Sequence, residues 1–186
     1  MGALFSALIL GACNTNTDEP LGLQGFLNGE VMAYREGSDE GFYISDLNMN
    51  PDDPESYRVG QMLDLDNDGE DEQIILGPYG GMYLDQSKSD GKVKVLAEGD
   101  GTAMMLSYVF YDNACWIVIS DTTHVGRQML SLTKYAGAET VADSFELNAE
   151  YCDRDFYDET SDFTYRGEKI SMERYEELID SIFGNN

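Results

Sequence analysis

Nine residues, Asp64-Leu65-Asp66-Asn67-Asp68-Gly69-Glu70-Asp71-Glu72, carry six carboxylates, and that density of like charge opposes any compact conformation unless something neutralises it. The stretch is therefore expected to be a connection that holds a cation. Its order is specific: acidic side chains stand at the first, third and fifth positions, glycine is sixth, Glu70 follows, and Glu72 is ninth. That succession suits calcium, which takes roughly six to eight oxygen ligands, with glycine supplying the sharp turn and the seventh residue its backbone carbonyl. The candidate ligands are Asp64, Asp66, Asp68, the Glu70 carbonyl and Glu72, the last directly or through water.

The flanks read as β. Val59-Gly60 leads into the loop, Ile74-Ile75-Leu76-Gly77-Pro78 leaves it, and after a glycine-rich turn Gly81-Met82-Tyr83-Leu84 starts another strand. From Val59 to Asp85 this pattern resembles a single FG-GAP or VCBS-type repeat. The resemblance implies that the loop joins two adjacent strands of one sheet and holds calcium through the acidic positions, although the ninth residue is usually Asp where this chain has Glu72. A full propeller would need repeated blades, and one clear loop does not supply them. More loosely, the chain is similar to lipoproteins of Gram-positive, often gut-dwelling bacteria that carry one such loop and end in a Tyr-Arg-Gly-Glu-Lys-Ile-Ser-like approach to a helix. That likeness implies no reaction.

Elsewhere the sequence predicts a mainly β fold, an antiparallel meander arranged as sandwich-like or propeller-blade-like sheets, with a covering helix at the C-terminus. Residues 20–30 suggest a short helix or irregular lead-in, Val31 to Glu36 and Gly41 to Ser45 two strands, and Asp46 to Asp52 a loop of Asx turns. Val93 and Val95 alternate with lysines after Asp90-Gly91, as a hairpin partner for Met82 to Asp85. Met104–Tyr111 with Cys115–Ser120, and Arg127–Tyr135 with Thr140–Leu147, form two further hairpins, each expected to bury one face and wet the other. Residues Tyr151 to Tyr165 show no clean period and are expected to be an ordered loop or irregular edge. Ser171 caps a helix whose Met172, Tyr175, Leu178, Ile179, Ile182 and Phe183 share one face, with Ile170 placed as a staple on Tyr175.

The N-terminus suggests export. An apolar run, Ala3 to Leu10, precedes Leu10-Gly11-Ala12-Cys13, which resembles a bacterial lipobox, although no basic residue comes before it. The expected organisation is a signal peptide over residues 1–12, a tether over 13–20 beginning at the lipidated Cys13, and one β-rich domain over 21–186. The lipid anchor would place the chain on the extracytoplasmic face of the cell membrane. With 186 residues and 42% hydrophobic content the chain can bury one core. A formal charge of −25 argues against nucleic acid and anionic headgroups as partners. Cationic proteins stay compatible, and exposed tyrosines can offer sugar or peptide platforms.

Two other features hold chemistry in reserve. The turn from Ser120 to Arg127 contains the single histidine, so Asp121, His124 and Arg127 are a candidate ligand-contacting or hydrolytic set. The competing interpretation is a hydrogen-bonded turn. Zinc is disfavoured, since one histidine and dispersed cysteines lack a ligand cluster. Cys115 and Cys152 either pair as a disulfide in an exported domain, or Cys115 serves as a small core residue. Three readings follow: a membrane-anchored calcium-binding structural or ligand-binding module, a secreted hydrolase using the Asp121–Arg127 loop, and an acidic inhibitor of a basic protein.

Overall fold

A computed structural model describes residues 22–101, 104–122, 126–138, 140–151 and 156–184. Among these residues, twelve strands form two six-stranded sheets. The first sheet contains β1 (Ala33–Tyr34), β2 (Gly41–Phe42), β3 (Arg58–Leu63), β4 (Glu72–Leu76), β5 (Met82–Gln86) and β6 (Val93–Glu98), in the order β2-β1-β6-β5-β4-β3. All its pairings are antiparallel except that of β1 with β6. The second sheet is an unbroken antiparallel meander, β7 (Met104–Tyr111), β8 (Ala114–Asp121), β9 (Arg127–Tyr135), β10 (Val141–Glu150), β11 (Asp162–Tyr165) and β12 (Glu168–Ile170).

Strand alternation sorts the apolar side chains into three layers. On the outer face of the first sheet, Ile75, Met82, Leu84 and Val93 pack with Phe26 of the short helix α1 (Gly22–Leu27) and with Phe42. Between the sheets, Ile74 and Tyr83 of the first meet Leu106, Cys115 and Ile117 of the second, around the buried Leu65. On the far face of the second sheet, Trp116, Val118, Leu132, Phe145, Leu147 and Phe163 pack against Tyr175, Leu178 and Ile182 of helix α2 (Met172–Phe183). The result is helix, sheet, sheet, helix, with a hydrophobic layer at each contact.

Helix α2 begins where its sequence signals place it. Ser171 Oγ accepts a hydrogen bond from the Arg174 amide at 3.2 Å, satisfying one of the first-turn donors. The Gly80 turn between β4 and β5 shows why a side chain is excluded there. A Cβ on Gly80 would lie 2.0 Å from the Leu106 carbonyl oxygen, so only glycine lets that turn press on the backbone of β7.

Three expectations are corrected. Strand β8 does not wet one face: Trp116 and Val118 point to α2 while Cys115 and Ile117 point to the other sheet, and all four are buried, whereas β10 alternates as expected, with Phe145, Leu147 and Ala149 buried and Ser144, Glu146 and Glu150 exposed. Burial on both sides explains the continuous apolar run from Ala114 to Ile119. The irregular edge expected up to Tyr165 also ends in a strand, β11, hairpinned to β12 through Arg166 and Gly167, both at positive φ. Strands β1 and β2 are much shorter than expected, the second giving way to a 3-10 turn at Ile44–Asp46. From Asn48 to Glu55 the loop is built of Asx turns, with Asn48, Asn50 and Asp53 each accepting from the amide two residues on.

Candidate metal centre

The acidic loop joins β3 to β4, neighbouring antiparallel strands of the first sheet. Alternation along β4 turns Glu72 and Ile74 inward, so a carboxylate enters the space between the sheets at the point where the loop closes. Glu72 is buried, and its Oε2 accepts from the amides of Leu65 at 2.6 Å and Asp66 at 3.1 Å. These contacts fix the start of the loop against its end. Asp64 accepts from the Asp68 and Gly69 amides at 3.1 and 3.2 Å, and Asp66 Oδ1 from the Asp68 amide at 3.1 Å. Asn67 and Gly69 turn the chain at φ +64° and +89°, conformations that asparagine and glycine accept more readily than other residues.

Three of the predicted ligands converge. One oxygen each from Asp64, Asp66 and Glu72 lie within 4.8 Å of one another, so this group could hold a metal ion. Asp66 is wholly buried, and its Oδ2 has no hydrogen-bond partner. A buried carboxylate oxygen left without a donor is costly. Its natural complement is a cation. The Asp68 side chain is engaged otherwise: Lys88 Nζ stands 2.6 Å from Asp68 Oδ2, and 3.6 Å from Oε1 of Glu70, whose expected ligand is its backbone carbonyl. Asp68 Oδ1 accepts from the Glu70 amide at 2.8 Å.

The electrostatics report the same deficit of positive charge. Burial pushes the Glu72 carboxyl up to about 8, with the charge of Asp66 adding to it, against the opposing backbone hydrogen bonds. Burial and then Asp68 push Asp66 up to about 6. Asp85, on the inward face of β5, is raised by burial and by Asp68. By contrast, the hydrogen bond from Lys88 holds Asp68 below the usual carboxylate range. The nearby Cys115 thiol is pushed up to about 12 by burial and by Asp64 and Glu72, which keeps it protonated and unsuited to ligation. The donor set is therefore all oxygen, the preference of hard cations.

The loop is also a tie between the sheets. Asn67 Oδ1 accepts from the Cys115 amide at 2.8 Å, and its Nδ2 donates to the carbonyls of Cys115 and Tyr135, both at 3.0 Å. The Gly137 amide donates to the Asp66 carbonyl at 3.0 Å. One turn of the first sheet thus engages two hairpin ends of the second. Sequence reasoning missed Asn67 because its position in the loop marks it only as a turn residue. It also missed Asp85, whose signal was a charge placed two residues after Tyr83 on the same strand face.

The remaining candidates are less concentrated. Asp121 ends β8 opposite Met104 and Met129, and Arg127 opens β9 with its Nη2 2.9 Å from Met129 Sδ. His124 lies outside the described residues, as do Cys13 with the rest of the lipobox, and Cys152. Cys115 is a buried free thiol of the inter-sheet core. No helix among the described residues is long and apolar enough to cross a membrane. Compared with family models, with curated proteins and with solved structures, the chain finds no match.

Proposed function

We propose that the chain is a calcium-stabilised structural or ligand-binding module, tethered by lipid at Cys13 to the extracytoplasmic face of the membrane. The observation that carries the calcium reading is the buried, unpartnered Oδ2 of Asp66, a residue whose carboxylate converges with those of Asp64 and Glu72. Asp64, Asp66 and Glu72 would hold the ion, with the Glu70 carbonyl and Asp68 completing the shell after Asp68 exchanges Lys88 for metal. Bound calcium supplies the positive charge that six carboxylates in nine residues lack. Its role is to order, since a site whose ligands come from the protein leaves few positions for a substrate.

The consequence reaches beyond the loop. Asn67 and the Asp66 carbonyl hold the second sheet only while the loop keeps its turn, so calcium would stabilise the contact between sheets and not only the β3–β4 connection. The tether rests on the apolar run and the Leu-Gly-Ala-Cys sequence. Thermal unfolding in calcium, in EDTA and in magnesium tests the calcium reading. Calcium raises Tm and EDTA removes the gain, magnesium reproduces it weakly because it demands a stricter octahedral geometry, and Asp66→Ala abolishes it. A Tm indifferent to calcium overturns the proposal.

A further inference from the structure

Beside the metal loop, the two sheets part along the side bounded by β1, β6 and the β9–β10 turn and leave a cleft of about 580 Å³. This volume falls in the range of small-molecule sites. Tyr34, Leu96 and Tyr135 form its walls, and Glu36, Asp90 and Lys92 stand at its mouth. Asp85 is its one buried lining residue, at 8% exposure, so the floor of the cleft is a carboxylate.

Every base around that floor has other work. Arg35 makes a two-point contact with Glu98 at 2.7 and 2.8 Å. Lys94 reaches Asp90 at 3.9 Å, Lys92 lies over the Tyr34 ring at 5.1 Å, and Lys88 is held by Asp68. Among the described residues Arg35, Lys88 and Lys92 make their direct contacts elsewhere, and Lys88 acts on Asp85 only through its charge. The charges of Asp68 and Glu70 also act on Asp85, adding negative potential at the bottom of the cleft, against the Gln86 amide, which donates to it, and the more distant charge of Lys88. An anionic ligand end would be repelled there. A neutral one would leave the carboxylate with no directly paired cation.

We propose that this cleft binds a small polar ligand through a primary ammonium group seated on Asp85, with the ligand's body between Tyr34 and Tyr135. An ammonium supplies three donors to a carboxylate that has little access to water. Tyrosine faces attract a cation and pack against a sugar ring or peptide unit. The cleft adjoins the calcium loop, through the Asn67 bond to the Tyr135 carbonyl and the charges acting on Asp85, and ligand binding there goes beyond the loop's stabilising role. An amino sugar and a peptide amino terminus share the required chemistry.

Calorimetric titration of the full chain in calcium-containing buffer with glucosamine and with glycylglycine, each against its N-acetylated form, tests the proposal. At least one free amine binds about tenfold or more tightly than its acetylated counterpart, and Asp85→Asn removes that preference. Preference for glucosamine assigns the amine to a sugar, and preference for glycylglycine assigns it to a peptide terminus. Equal binding of acetylated and free forms, or no binding of either amine, overturns the inference. Should Asp85→Asn fail to fold, amide shifts of the unaltered protein decide: perturbation by the amine at Tyr34, Asp85 and Tyr135 supports the site, and perturbation elsewhere rejects it. Because binding is read at the cleft and not from Tm, its failure is separable from a failure of calcium to stabilise the chain.

Discussion

The second sheet is held on its two faces by different physics. Against α2 it presents Trp116, Val118, Leu132, Phe145 and Leu147 to Tyr175, Leu178 and Ile182, a contact made almost wholly of apolar area. Against the first sheet its apolar layer is smaller, and the edge of that layer is finished by the Asn67 hydrogen bonds and three converging carboxylates. The first contact depends on nothing but water exclusion and packing. The second includes buried charge, and hence responds to protons and, on the reading proposed above, to a bound cation. One protein can therefore have a fixed half and a conditional one.

The largest expected effect breaks the fixed half. Leu178→Ala removes a buried side chain of the apolar cluster between α2 and the second sheet, and costs about 2–5 kcal/mol in chemical denaturation. The loss is the same with and without calcium. A calcium-dependent loss would mean that the two faces are not independent.

Calcium itself comes next. At a free concentration of about one hundred times Kd the gain is about 2.7 kcal/mol, read as a rise in the urea midpoint that Asp66→Ala abolishes. The pH dependence sharpens the same point. Asp66 and Glu72 keep protons in the folded state up to about 6 and about 8, whereas the unfolded chain gives them up near pH 4 to 4.5, roughly their unperturbed values. The folded state then binds more protons across that window, so metal-free stability falls as pH rises from about 5 to about 8. Calcium displaces those protons and flattens the slope. Denaturation series in EDTA and in calcium check this, and a metal-free stability that rises over the window contradicts it.

Asn67→Gly tests the tie between the sheets. Glycine keeps the left-handed backbone and removes three hydrogen bonds, at a cost of about 1–3 kcal/mol. Hydrogen exchange should quicken at Cys115, whose amide loses its Asn67 acceptor, while the amides of α2 keep their protection. Ser171→Ala is the smallest of the series, about 1 kcal/mol, from loss of the cap on α2. It should leave the calcium response unchanged.

Several features were legible because they are local. The acidic loop, the glycine at its sixth position, the Ser171 cap and the hairpins around Asp112-Asn113 and Ala136-Gly137 follow from turn chemistry and alternation within a few residues. The hairpin β11–β12 was obscured because Asp162 to Ile170 mixes charge with aromatic residues on short strands, and its turn uses Arg166 at φ +53°, a conformation arginine does not advertise. Two-sided burial of β8 was present in the unbroken run from Ala114 to Ile119, but a run of that kind does not say what covers each face.

The sequence by itself determined which residues cross from strand to turn, where a cation would be attracted, and that the last helix has one apolar side, because each depends on neighbours along the chain. Only the tertiary structure decided that Glu72 turns inward, that Asp66 loses its water, that Asp68 is taken by Lys88, and that Asn67 reaches Cys115 and Tyr135. Those outcomes depend on how two sheets lie across one another, and the same carboxylates exposed to solvent would repel weakly, bind water and hold nothing together.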